Sequence, residues 1–576
     1  MKKILYAIMG AALLLFAGCE EKGEVFYQNP YRIIVDYQPS TFTISGLSGN
    51  VTPDGDYNWI TSNGNGSFTV RRNTSGVIRR AEFTVAGSKD KAIVNQRAHG
   101  LDATVTPALK GQGLGSATIN VTLATKFIDD YAGWGLIYNT ANDRAAGKVV
   151  PQSGAPVAGI NLGEITGLAE GTDYYAWAYV EDTEGLRVYS GPIGIVPPIY
   201  VKAGENLQAA IDGAKEFQEI RVAGGATFPG PVVFDDKNKN KSISGGWNAD
   251  FTEQSMDNLT IIDGAGVNRG FYCGEDPLTD MPLKGSVEIS YFEIQNCLSM
   301  SGHGSAIRVS GGPIKIHHCY MHDNVTDRGT IATREDDQSS DIEIYNCILT
   351  NNIAHGHAPG ISIEDGKDYY GMETHAVIAN CLIANNFSDK EDGYAGSIYL
   401  YNKIIAKVFN NTLVGNINYD ENNGNLWPSF TIRQWGKIHL ANNIIVGNRS
   451  RKQGGTENVL QDYEVNCGGN DGMQVVNNLV EGGFASTGGC VLSGNTVLPA
   501  GFDLKEIFRD PANGDYTPVG KAVGAGTLDP IVMTSTWDNV SETLDIRAMM
   551  EKYETDLKGN PRITNGKIDV GCIQAQ

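Results

Sequence analysis

Side chains able to act on a polymer recur at fixed offsets in the second half of this 576-residue chain. Aligning short β-like runs on their first apolar residue puts Ile307, Ile331, Ile361, Ile398 and Phe430 in one column, and Val309, Thr333, Ile363, Leu400 and Ile432 in the next. Strand period two sends the residues between them to the other face. That face carries Arg308, Ala332, Ser362, Tyr399 and Thr431, then Ser310, Arg334, Glu364, Tyr401 and Arg433, with Glu335 and Asp365 just beyond. The loops ahead of these runs carry His303, Asp327, Arg328, His355, His357, Asp392, Tyr394 and Trp427. A charged and aromatic row beside a loop ridge makes a groove for an extended polymer.

Three chemistries fit this row. The first is glycoside cleavage. Carboxylates one coil apart lie at about 5 Å and two coils apart at about 10 Å, close to the spacings of retaining and inverting hydrolases. Glu335 and Asp365 are one coil apart, and Glu364 would be positioned by Arg334. A lyase would instead need a cation for the uronate and a base for its α-proton, such as Arg308 or Arg334 with His355 or His357. The second is binding without cleavage, in which Arg308, Arg334, Glu364, Tyr399, Tyr401, Arg433 and Trp427 hold a glycan by stacking and hydrogen bonds. The third is an ordinary ion ladder on an adhesin or stalk, with Arg334–Glu364 contributing little. Cleavage would require a strongly shifted pKa in the groove, binding would require exposed, coplanar aromatic rings, and a stalk needs no concavity. The sequence shows neither an Asp-Asp pair in the arrangement familiar from β-helix hydrolases nor a clean Asp cluster for lyase calcium. His355-Gly-His357 alone does not make a metal site, and no cofactor is expected.

The elements that position this row repeat. Similar segments start at residues 287, 314, 342, 376, 406, 438 and 473, so the spacings run from 27 to 35 residues. A fixed period in this range means a solenoid, propeller or array. Apolar alternation surrounds an Asn or Asn-Cys corner, and no helical period intervenes. Coils of two or three short strands, stacked at about 4.8 Å, form a parallel β-helix. Stacking predicts one ladder from Asn346, Asn380, Asn410, Asn442 and Asn477. It predicts the next from Cys319, Cys347 and Cys381, continued by Asn411, Asn443 and Asn478. These thiols read as small interior hydrophobes and not as a metal site or disulfide framework, because a stack makes a line and not a tetrahedron.

Residues 199–576 resemble the right-handed pectin-lyase-like β-helix superfamily. Ser242–Phe251 with Leu259–Gly266 are similar to the first coils of its bacterial surface members, and F-R-D-P-A-N-G-D-Y-T-P, D-L-K-G-N-P-R-I and I-D-V-G-C-I-Q to a choice-of-anchor Q ending. The resemblance implies the fold. It leaves lyase, hydrolase and adhesin open.

Upstream, residues 24–98 alternate short runs with Gly/Asn/Ser turns. Trp59, Asn73, Thr74, Arg79 and Gln96 resemble the BACON pattern of small β-sandwiches. In residues 101–196, I-T-G-L-A-E-G-T-D-Y-Y-A-W-A-Y resembles a fibronectin type III corner, where Tyr174 would bond back to the backbone above Leu168. The fold class expected is therefore all-β: two N-terminal β-sandwiches followed by a right-handed parallel β-helix.

Lys2 and Lys3, an apolar run from Ile4 to Ala17, and Phe16–Cys19 resemble a lipoprotein signal. The expectation is removal of residues 1–18, acylation of Cys19, and outer-membrane anchoring facing the exterior. Glu20 and Glu21 resemble a Bacteroidetes surface-export signal. The formal charge of −21 speaks against nucleic acid, which binds clustered Lys and Arg. The expected partners are a polysaccharide and, through the lipid, the membrane.

Overall fold

The computed structural model describes residues 29–47, 50–73, 78–97, 103–113, 115–125, 128–169, 171–182, 185–235, 239–274, 285–333, 341–356, 358–364, 374–388, 397–401, 404–420, 430–433, 436–452, 457–460, 463–467, 472–485, 490–534 and 541–575. It is a chain of β-sheets throughout. Residues 32–96 form a four-stranded and a three-stranded sheet that share one core of Trp59, Phe68, Phe83 and Val94. Buried Asn73 and Gln96 close its end. Asn73 Nδ2 donates to the Arg97 carbonyl (2.7 Å), and Gln96 Nε2 to those of Tyr37 and Arg71 (3.1 and 2.8 Å). Residues 104–195 form a five-stranded and a three-stranded sheet packed around Ile119, Trp134, Leu136 and Ile165. There the Ala169 N–H donates to the Tyr174 hydroxyl (3.0 Å), which pins the turn before the Tyr174–Asp182 strand.

From Ile199 the chain winds as a right-handed parallel β-helix. Four sheets run along it, of eleven, ten, seven and nine strands. One coil visits them in turn, as Ile314–His317, Tyr320–His322, Val325–Arg328 and Ile331–Ala332 do before Asp341–Tyr345 starts the next. This corrects the expected two or three strands per coil. All but one of the extra strands are two to four residues long, too short to show alternation. Every inter-coil pairing among the described residues is parallel; Arg449–Lys452 and Asn458–Leu460 pair antiparallel within one coil. The right hand follows from strand twist, which favours right-handed crossovers between parallel strands.

The interior is a continuous column of Ile, Val, Leu and Cys. Each fully buried aliphatic side chain contributes about 2 kcal/mol of transfer free energy. Cys319, Cys347 and Cys381 stack within it as reduced thiols, each Sγ donating to backbone carbonyls such as Ile316 O from Cys347 (3.6 Å). The column is capped at its first coil by helix Leu207–Gly213, which buries Leu207 and Ile211.

One of the two expected asparagine ladders differs from expectation. Asn346, Asn380, Asn410, Asn442 and Asn477 all hold positive φ, from 52° to 57°, and do not bond one another. They turn the chain between the eleven- and ten-stranded sheets, where Asn tolerates the left-handed region. Their amides reach the C-terminal segment instead: Asn380 to Thr555 O (3.2 Å), Asn442 to Thr527 O (2.9 Å), Asn477 to Ala525 O (3.1 Å). The expected continuation of the cysteine column does form a ladder: Asn411, Asn443 and Asn478, with Asn495 beyond them, pass amide bonds along at 2.9–3.1 Å. A second ladder at the next corner joins Asn324, Asn352, Asn386, Asn416 and Asn448 at 2.9 Å. After Leu498 the chain folds back along the coil walls. Phe508, Tyr516 and Val570 cover the ten-stranded sheet; Leu544, Met550 and Tyr553 cover Ala379, Phe409 and Ala441 of the eleven-stranded one.

Candidate functional site

The nine-stranded sheet carries the row of interest. Its register pairs Ile307 with Ile331, Ile361, Ile398 and Phe430 in succession, and Glu364 with Tyr401 and Arg433. Inward Ile and Leu fix which face the intervening residues take, so Arg308, Ser362, Tyr399 and Thr431 line up on the outer face.

That face is not the open row expected. Arg308 is 1 % exposed, and Glu364 and Tyr399 are 2 % exposed. The reason is that the segments ahead of each strand lean over the sheet. Ala358 packs on the Tyr399 ring, and Tyr401 stacks beside it with centroids 5.9 Å apart and planes at 11°. The two rings are coplanar as expected, but only Tyr401 is partly exposed. Arg308 Nη1 donates to the Val309 carbonyl (3.3 Å) and so serves the wall and not the opening.

Glu364 anchors a buried polar cluster. Its N–H donates to Thr333 Oγ1 (2.8 Å), which donates back to the Glu364 carbonyl (3.0 Å). Its carboxylate lies 3.5 Å from Arg328 Nη1 and 4.0 Å from His303 Nδ1. His303 Nδ1 donates to the Thr333 carbonyl (2.9 Å), which places a proton on that nitrogen. Removing one member of such a cluster strands a buried charge. The Arg328 side chain is 37 % exposed, so its guanidinium spans from the buried carboxylate to the surface. His355 is partly exposed nearby on its loop, its N–H bonded to the Thr326 carbonyl (2.8 Å).

Gly329 sets this geometry. Its φ is +60°, and an added Cβ would meet Ile331 O at 2.7 Å and the Cβ atoms of Ala332 and Ser362 at 2.9 Å. Gly329→Ala is expected to cost about 2 kcal/mol or more from backbone strain and crowding. Urea denaturation checks this, and a loss below about 0.5 kcal/mol would contradict it.

Arg334, Glu335, His357, Asp365 and Trp427 lie outside the described residues, as does the Arg433 side chain, so the Glu335–Asp365 and Arg334–Glu364 pairs do too. Cys19 also lies outside them. His303 and Arg328 stand in the sequence only as loop residues. Nothing in their spacing marks them as partners of Glu364, because they belong to the preceding coils. No group of three or more His, Cys, Asp or Glu able to hold a metal occurs among the described residues.

Sheet order and register define an all-β chain built on a right-handed parallel β-helix. Solved structures similar to it include a family 28 exopolygalacturonase from Yersinia enterocolitica, at 10 % identity over 69 % of this chain and 99 % of that one, with a TM-score of 0.21. A pectate lyase from Erwinia chrysanthemi, solved with tetragalacturonic acid, gives 11 % identity over 69 % and 100 %, with a TM-score of 0.14. A DUF3823 family protein from Bacteroides ovatus gives 14 % identity over 28 % and 97 %, with a TM-score of 0.15. At these values the similarities say nothing about activity. No protein-family model and no curated protein matches the chain.

Proposed function

We propose that this is a cell-surface lipoprotein whose β-helix holds an extended polysaccharide along the outer face of the nine-stranded sheet. The observation that carries the reading is the layering of that face. Tyr401 and Arg328 reach the surface, while Glu364, His303, Arg308 and Tyr399 lie buried as a fixed base beneath them. A ring already stacked on its neighbour loses little entropy on binding a sugar face. A guanidinium held on one side by a carboxylate still offers N–H donors on the other. Among the described residues of the row, the one carboxylate is engaged by Arg328 and is 2 % exposed. Buried in this way, it supports capture over hydrolysis. Anchoring through Cys19 would place this face outside the cell.

One observation favours a second reading. Arg328 and His303 flank the same point, and a cation beside an imidazole is what β-elimination at a uronate needs. A single experiment separates the two. The full-length chain is run through native gels containing acidic or neutral polysaccharide, which are then stained for polymer. Capture predicts retardation with intact polymer, reduced about tenfold or more in apparent affinity by Tyr401→Ala and by Arg328→Ala. A cleared zone would establish cleavage instead, and unretarded migration in every gel would remove both readings.

A further inference from the structure

The molecule has a second concavity, away from the groove. It is a cleft of about 670 Å³ between the second β-sandwich and the outer face of the eleven-stranded sheet. The sandwich supplies an apolar wall that includes Leu109 and Ile193, and the sheet supplies a polar floor. Gln218 Nε2, bonded to the Pro197 carbonyl (2.7 Å), and Lys215 Nζ, 2.5 Å from Asp173, tie the two walls together.

Two fixed features face each other on this floor. The first is the Trp247 indole. Its Nε1 donates to Ser244 Oγ (2.9 Å), and Ser244 Oγ donates to Glu219 (2.8 Å). Glu219 also accepts from Arg221 Nε (2.8 Å), and that guanidinium lies 4.3 Å over the indole ring. The loop of contacts closes on itself, so the ring is held before any ligand arrives. The second feature is Glu288. His317 Nε2 donates to its carboxylate (3.0 Å), and the His317 ring is stacked on Tyr345 at 4.7 Å. Burial works against ionisation of Glu288, but the His317 hydrogen bond and the charge of Lys315 outweigh it and hold the pKa down to about 2. Glu288 is therefore an acceptor at any working pH, and 40 % of its side-chain surface stays open to the cleft.

Register gives the placement. Ser242 pairs with Glu288 and Ser244 with Ser290, so Glu288 lies on the strand next to that of the indole anchor, and His317 lies one strand further. Three acids of the floor already have partners: Glu219 with Arg221, Glu288 with His317, and Glu343 with Lys552 (2.6 Å). The lining as a whole mixes acids (Glu219, Glu288, Asp341, Glu343) with bases (Lys110, Arg221, Lys241, Lys315), so neither sign of ligand charge is favoured, and a charged ligand would forfeit hydration. A neutral, ring-shaped, hydroxyl-rich ligand meets every feature. An apolar ring face lies on the indole, hydroxyls donate to Glu288, and other hydroxyls accept from Lys315.

We propose that this cleft is a separate binding site for a neutral oligosaccharide two to three rings long. The site shares no residue with the groove on the nine-stranded sheet and does not depend on the reading of that groove.

Calorimetric titration of the full-length chain with cellotriose, maltotriose, mannotriose and xylotriose tests it. At least one trisaccharide is expected to bind with a Kd of about 1 mM or tighter. Trp247→Ala should weaken that binding about tenfold or more, and Glu288→Gln several-fold. Trp247→Phe, which keeps a flat ring, should hold it within about threefold, so a folding defect cannot imitate the result. Tyr401→Ala should leave it unchanged. The proposal is overturned if none of the four binds, if Trp247→Ala binds as the parent does, or if Tyr401→Ala abolishes binding.

Discussion

Asn443→Ala is expected to remove about 3–5 kcal/mol of stability, the largest loss from any single truncation in the ladders. Asn443 is fully buried and uses both ends of its amide. Its Nδ2 donates to the Val408 carbonyl (3.0 Å) and to Asn478 Oδ1 (2.9 Å), and its Oδ1 accepts from the Asn411 N–H (2.9 Å) and Asn411 Nδ2 (3.0 Å). Alanine leaves at least a carbonyl and an N–H unsatisfied in a place without water, at about 1–3 kcal/mol each. It also breaks the chain of bonded amides that polarise one another. Because each coil contacts only its neighbours, the damage should concentrate in the coils from Ala406 to Val480. Urea denaturation with hydrogen exchange reads both quantities. Asn443→Asp, which keeps the acceptor and loses the donors, should fall between the parent and the alanine variant. A loss below about 1 kcal/mol for Asn443→Ala would contradict the account.

The second large effect is acid sensitivity between about pH 6.5 and 4. His318 and His439 are held neutral in the fold. Burial, aided by neighbouring His317, pulls the His318 pKa down to about 3, and burial with Lys407 pulls that of His439 down to about 4. Geometry agrees for His318. Its Nε2 accepts from Asn346 Nδ2 (3.1 Å), so its proton sits on Nδ1 and is shared with His317 (2.9 Å). A second proton would break the Asn346 bond. Unfolding lets both rings protonate below about pH 6.5, so the unfolded state then binds more protons and stability falls with pH. The contribution is complete above pH 6.5 and is lost progressively towards pH 3–4. At pH 5 the two rings together remove on the order of 2–4 kcal/mol. Glu288, with its pKa held down to about 2, adds a further loss between about pH 4.5 and 2. The melting temperature should therefore drop by several degrees from pH 7 to pH 5. Combining His318→Asn with His439→Gln should flatten that drop. Asparagine suits the first site because His318 has a φ of 52°, as do the asparagines that follow it in the stack. Equal melting temperatures at pH 7 and pH 5 in the parent would refute the assignment.

Stacking made much of the fold legible from the sequence. Each coil places the same residue type over its neighbour, so the columns Ile307–Ile331–Ile361 and Cys319–Cys347–Cys381 can be read without coordinates. Of the two columns read there, the continuation through Asn411, Asn443 and Asn478 is a bonded ladder, but the column from Asn346 to Asn477 is not, because where two asparagines stand side by side they divide the work. The first supplies the left-handed turn and the second the buried amide; only backbone φ separates them. The second ladder was equally available, since successive repeats carry Asp-Asn, Asn-Asn or Gly-Asn at 323–324, 351–352, 385–386, 415–416 and 447–448. The site was less legible. Period two states which face Arg308, Glu364 and Tyr399 occupy. It does not state that Ala358 and Arg328, from other coils, fold over that face. The pairing of Glu364 with His303, 61 residues earlier, has no local signal.

The most direct test of polysaccharide capture is hydroxyl-radical footprinting of the full-length chain, with and without a retarding polysaccharide, read residue by residue by mass spectrometry. The account predicts protection centred on Tyr401, extending to His355 and the segment around Arg328, with Trp247 unchanged when the polymer is acidic. Protection confined to other faces of the β-helix, or none at saturating polymer, would contradict it.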